Sequence, residues 1–312
     1  MKITDIMGCT CTVLLLLLAS VWVPFVGPFF SLLIPLPFLY YASRLGLSQG
    51  VKTGIISLFI VGLIARLTGY THIILFCIEF SLLGVIISEI YRREFSFGST
   101  IFWGTVLMLI VGIFFLFMIG LSKGMGPLDL ILEYFQSNLG NSIRLYEDIG
   151  LEPEKVIQIK QFIQGLSDLI ARIYPSLIIV GTAFVVWVNV VISRPLFRLK
   201  GVGYPDFGPM DRWQASEHMV WGVIAAGFAL FFPISGIRSL AINALIVTSV
   251  IYVFHGLSIV MFFFNRHNIP GWARLGVYVL IVVQQIFLIV LAIAGLFDQW
   301  VDFRKIHRKE EG

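Results

Sequence analysis

The chain has 312 residues, of which 58% are hydrophobic and 13% charged, with a mean hydropathy of +0.93. Those proportions exclude a soluble globular domain and specify a polytopic membrane protein, all-α in class, partnered first by the lipid bilayer. A net charge of +4 does not point to nucleic acid here, because Lys and Arg mostly flank apolar runs, as membrane topology requires.

Nine apolar runs approach the roughly 20 residues that span a hydrocarbon core: 10–24, 28–43, 51–67, 70–91, 99–121, 173–193, 219–232, 237–264 and 272–297. Eight or nine spans are expected. The first run carries the outline of a signal peptide, Lys2 followed by a short apolar core and Ala19-Ser20, but it continues past Ser20 and reads as an uncleaved span. Cys9 and Cys11 lie two residues apart, on nearly opposite sides of a helix, so with Cys77 alone in the fourth run no disulfide or metal unit is implied.

The stretch 23–40, from the end of the first run into the second, contains Pro24, Pro28, Pro35 and Pro37. Each removes an amide donor and displaces the carbonyl four residues earlier, loosening the acceptors of Ser20, Pro24, Ser31 and Leu33. Irregular backbone at membrane depth is tolerated only inside protein or beside a wet cavity. Ser31, Pro35 and Pro37 are therefore candidates for a solute site of the kind that broken helices build; the alternative is a helix, a Pro-Gly turn and a second, kinked helix.

Glu79 sits near the centre of the fourth run, where an ionisable group is expensive, with His72 on nearly the same face one heptad earlier. Thr248, Tyr252 and His255 share a face of the eighth run, and Gln284 and Gln285 occupy the middle of the last. Together these predict a polar pocket near the midplane, or interhelical hydrogen bonds that only hold helices together. Small residues at Ala42, Gly46, Gly50 and Gly54, at Gly104, Gly112 and Gly120, and in the pairs Gly222 with Ala226 and Ala225 with Ala229 suit close helix contacts.

The polar insertion 122–169 repeats apolar residues at helical spacing from Leu128 to Ile149 and from Val156 to Ile170, predicting two amphipathic helices on the bilayer surface or a solvated hairpin. The expected organisation is thus an N-terminal set of helices (1–121), the amphipathic insertion (122–169), C-terminal spans (170–303) and a basic tail (304–312). With the N-terminus inside, the inside set holds Lys2, Arg44, Lys52, Arg92, Arg93, Arg194, Arg198, Lys200, Arg212, Arg266 and Arg274, and the outside short loops hold only Arg66 and Arg238. The tail Phe303–Lys309 disagrees, because nine crossings place this densest basic cluster outside. Either it is tolerated there or 219–232 fails to cross.

No GxxxxGK[ST], HExxH, paired CxxC or nucleophile elbow is present, and Gly201-Val-Gly-Tyr-Pro-Asp206 lies in a Pro-rich loop after a span, so no enzyme chemistry, cofactor or metal is expected.

The runs Leu36-Pro-Phe-Leu-Tyr-Tyr-Ala-Ser-Arg-Leu-Gly46 and Gly256-Leu…Phe263-Phe-Asn-Arg266…Gly295-Leu-Phe-Asp-Gln-Trp-Val-Asp-Phe-Arg304 resemble the YybS-type bacterial membrane proteins. That family, of unknown function, is in turn distantly similar to the S components of energy-coupling-factor vitamin transporters. The resemblance implies a multi-pass protein of the bacterial inner membrane that binds or transports a small solute. An S component docks on its coupling subunit through Ala-x-x-x-Ala in the first span, where this chain has Gly8-x-x-x-Thr12. The other reading is a non-transporting scaffold or partner subunit of a cell-envelope complex.

Overall fold

The computed structural model describes residues 2–71, 73–126, 129–131, 133, 137 and 153–305. Its long elements are helices: α1 (Ile3–Trp22), α2 (Gly27–Ser31), α3 (Pro35–Leu45), α4 (Leu47–Leu67), α5 (Ile73–Arg92), α6 (Phe97–Lys123), α7 (Pro153–Lys200), α8 (Met219–Ala229), α9 (Ser235–Arg266), α10 (Gly271–Val283) and α11 (Ile286–Val301). Among the described residues six of them (α1, α4, α5, α6, α7 and α9) are long and apolar enough to cross a membrane, or seven spans if α10 and α11 count as one.

The expected count of eight or nine is higher for identifiable reasons. Run 28–43 is no single rod, because Pro28 and Pro35 each start a new helix at its first turn, where the missing amide costs nothing. Run 219–232 yields an 11-residue helix closed by turns before Pro233. The last run is broken at Gln284, and the two helices either side are bent by 104°. The second helix of the insertion is not separate: α7 runs unbroken from Pro153 to Lys200, and the boundary expected between 169 and 170 falls inside it. The insertion's first helix lies mostly outside the described residues, as does the tail beyond Lys305.

The chain forms two compact units: residues 1–156 with 181–206, and residues 157–180 with 207–312. In the first, α3 is the hub. Gly50 of α4 lies against the backbone of Ala42, and Gly84 of α5 lies so close to the carbonyl of Pro35 and the amide of Leu39 that a Cβ at either glycine would strike main chain. Ile34 and Phe38 pack with Cys9, Val13, Val61 and Cys77 in a buried apolar cluster. At one end Asp5, buried, accepts from the Lys2 amide (2.9 Å) and pairs with Arg44 (3.5 Å), so two members of the inside set meet as the charge count requires.

The second unit is organised on α9, 32 residues long. Gly256 and Gly295 let the backbones of α9 and α11 touch: a Cβ at Gly256 would meet the carbonyl of Leu291, and one at Gly295 the carbonyl of Tyr252. Gly222, by contrast, faces open space, so the small-residue pairs of α8 are not all used in helix contact. Replacing Gly84 by Val is expected to cost about 1–3 kcal/mol through overpacking against α3; a lowered Tm in detergent for Gly84→Val beside an unchanged Gly222→Ala checks it.

Candidate functional site

Buried polar groups in an apolar protein must find partners, so the site is built from where they converge. The densest convergence lies in the second unit. The side chains of His255 on α9, Asp298 on α11 and Arg304 just past α11 are fully shielded from solvent. Arg304 Nη2 donates to Asp298 Oδ2 at 2.8 Å, and Nη1 donates to the carbonyls of Asp211 (2.9 Å) and Trp213 (3.1 Å) and to Ser258 Oγ (2.8 Å). His255 Nε2 stands 3.1 Å from Asp298 Oδ2 and 2.9 Å from Arg304 Nη2. His255 Nδ1 is buried without a partner, and Nε2 donates to Asp298 Oδ2 in one ring tautomer and accepts from Arg304 Nη2 in the other. The second carboxylate oxygen, Oδ1, accepts from the Phe303 amide at 2.8 Å.

Local backbone makes this reachable. α11 ends where Asp302 adopts a left-handed conformation (φ 46°), which turns the chain back over Asp298. Ser258 in turn donates to the Trp213 carbonyl (2.8 Å), tying the segment 211–213 to α9.

Two carboxamides repair backbone that proline has disturbed. Pro175 lies inside α7 without an amide to donate, and there Asn243 Oδ1 accepts from the Ser176 amide (2.9 Å) while its Nδ2 donates to the Arg172 carbonyl (2.8 Å). In the first unit Asn189 Nδ2 donates to the Leu32 carbonyl between α2 and α3 (2.8 Å). Ser31 satisfies itself by donating to the Pro28 carbonyl at 2.6 Å. Pro35 and Pro37 are buried, and their stretch packs against protein rather than presenting a row of open carbonyls.

Glu79 remains on α5, half-buried, in the first unit. Among the described residues nothing donates to it or pairs with it; its Oε1 lies against Gly112 of α6, 3.4 Å from where a Cβ would stand. His72 lies outside the described residues. Gln284 and Gln285 are exposed at the break between α10 and α11. His255, Gln284 and Gln285 belong to the second unit and Glu79 to the first. His255 is engaged with Asp298 and Arg304. Asp298, Arg304, Asn189 and Asn243 were missed as site residues by sequence reasoning. The signal for the first two was present as an acid inside an apolar run with a base six residues on; for the asparagines it was a carboxamide in a span.

Arg304 and Lys305 line one cavity with Arg212 and Arg266, so the tail begins at the same end of this unit as two loops of the inside set.

Against known proteins, a family described as "Predicted membrane protein (DUF2232)" matches residues 11–299. "Uncharacterized protein YybS" of Bacillus subtilis (strain 168) is 21% identical over 291 residues, which cover 92% of each chain. No solved structure matches.

Removing one partner of a shielded ion pair leaves the other uncompensated, so Asp298→Ala is expected to destabilise the protein by about 3–5 kcal/mol, read as a fall in Tm, with His255→Ala milder. For sidedness, Arg238 stands 28 residues before Arg266 on α9, about 42 Å along a helix. With the three native cysteines replaced by serine, Lys305→Cys and Arg212→Cys are expected to react with an impermeant maleimide from one side of the membrane and Arg238→Cys from the other; opposite labelling of the first two would refute a shared side.

Proposed function

Because the chain belongs to the DUF2232 family of predicted membrane proteins, a multi-pass membrane protein is the premise, and on it we propose that the protein binds or transports a small solute, with Glu79 as the group that meets it. One observation carries this reading. Glu79 is a carboxyl in an apolar span that no group among the described residues partners, and it lies against Gly112, where α6 has no side chain to cover it. A carboxyl so placed costs the fold stability and returns nothing to packing, which is the pattern of a group kept for a ligand or a proton. Glu79 is half-buried, so part of its side chain reaches the surface of this unit.

The solute class favoured by a lone carboxyl is cationic or hydrogen-bond donating. On this reading the protein handles its solute in the manner of the S components to which the YybS-type pattern is similar, in a bacterial inner membrane. The broken segment at Ser31, Pro35 and Pro37 is not needed in this reading: Asn189 serves the Leu32 carbonyl, so the break shapes helix packing. Energy coupling through a membrane protein partner belongs to the same reading.

A second reading, a non-transporting scaffold or partner subunit, is favoured by the engagement of His255 in the ion-pair cluster and of Asn189 and Asn243 with backbone.

The two separate on Glu79. Thermal-shift measurements on the purified protein with thiamine, other water-soluble vitamins and cationic metabolites are expected to find a compound that raises Tm in the wild type but not in Glu79→Gln. Without added compound, Glu79→Leu is expected to match or exceed the wild-type Tm. No shift across the panel, together with a lower Tm for Glu79→Leu, would make Glu79 a packing residue and leave the scaffold.

A further inference from the structure

The cationic cavity at the end of α9 lies in the second unit, apart from Glu79, and nothing above depends on it. Its volume is about 420 Å³, within the roughly 300–1,000 Å³ of small-molecule sites. Its polar lining comes from three places in the chain: Asp211 and Arg212 in the short turn before α8, Asn265 and Arg266 at the end of α9, and Arg304 and Lys305 after α11.

The charges do not cancel. Arg304 is matched by Asp298 at 2.8 Å. Among the described residues Asp211 is the one carboxylate in the lining, held by Asn265 Nδ2 at 2.8 Å, and Asn265 is itself fixed by Arg274 Nη1 at 2.7 Å. Arg212, Arg266 and Lys305 have no carboxylate partner among the described residues. Three unmatched cations against one carboxylate leave an excess of two positive charges around one concave space. Like charges gathered this way repel unless an anion lies among them.

Two further features mark a built site. Arg304 is 3% exposed and its Nε is buried without a hydrogen-bond partner, so the guanidinium is held in place with a donor unspent. Asp302 and Lys305 both have positive φ, 46° and 53°, a conformation that ordinary side chains disfavour. Strain on both sides of Arg304 lets it turn inward while Lys305 stays at the rim. Exposed aromatic side chains neighbour the rim in sequence: Trp300 is 60% and Phe303 41% exposed. Such rings sit at the level of lipid headgroups.

We infer that this cavity binds a phosphate-type anion, supplied by the headgroup of an anionic phospholipid or by free phosphate, with Arg212, Arg266 and Lys305 as its ligands and Arg304 as the fixed charge behind them.

The test uses the full chain in an uncharged detergent. Native mass spectrometry compares retention of phosphatidylglycerol and phosphatidylcholine of equal acyl chains; thermal shift compares sodium phosphate with sodium chloride at equal ionic strength. The combined variant Arg212→Gln, Arg266→Gln, Lys305→Gln leaves the Asp298–Arg304 pair intact, and Arg238→Gln, exposed near the start of α9, is the control. The wild type and the control are expected to retain phosphatidylglycerol about tenfold over phosphatidylcholine, falling to parity in the combined variant. That result assigns a lipid headgroup. A phosphate-specific rise in Tm that the combined variant abolishes, without a lipid preference, assigns the free anion. If the combined variant does not fold, the three single variants carry the same test, each expected to lose several-fold of the preference. Equal retention of both lipids with no phosphate-specific shift, or variants indistinguishable from wild type, overturns the site.

Discussion

A polar group sealed from water must be answered by the chain itself, and the second unit is arranged around one such obligation. Asp298 and Arg304 are both shielded, both charged, and six residues apart across the end of α11. Their pairing decides more than their own energy. Arg304 reaches it only because Asp302 turns the chain, and once there it gathers the carbonyls of Asp211 and Trp213 and the hydroxyl of Ser258. The same close packing requires glycine at 256 and 295, since any side chain there would hold α11 away from α9 and pull Asp298 from His255. Loop, long helix and terminal turn thus share one electrostatic centre.

Asp298 and Glu79 are treated differently. Asp298 has Arg304, His255 and a backbone amide; Glu79 has a glycine opposite and no partner among the described residues. Among the described residues one acid is thus fully equipped and the other bare. The prolines serve helix packing. The disturbed backbone is capped or bridged by carboxamides, Asn243 at Pro175 and Asn189 at Leu32, which lets helices bend inside protein without stranding acceptors.

Much of this could be read from composition and pattern. Hydropathy located the six long apolar helices among the described residues, and proline positions located the break at 24–37, because both act locally. The Lys and Arg count put Arg212 and Arg266 in one set, and both line one cavity with the start of the tail; the run 272–297, read as one rod, bends by 104° at Gln284. That bend has no proline or glycine to announce it. His255, Gln284 and Gln285 were grouped with Glu79 by depth in their runs, a measure blind to which neighbour each side chain meets. Asp298 and Arg304 stood in plain view at the end of an apolar run, but their attachment to a turn some 91 residues earlier depends on tertiary closure that no local pattern encodes.

That separation bears on how the protein is made. The carbonyl of Trp213 waits for a guanidinium 91 residues further along the chain, and contacts so distant form late because the intervening loop must close first. Asp298 and Arg304, six residues apart, are made almost together and can neutralise each other as soon as the turn at Asp302 forms. The 211–213 turn and α9 are made well before them, so the carbonyls of Asp211 and Trp213 must wait for the end of the chain to be fastened.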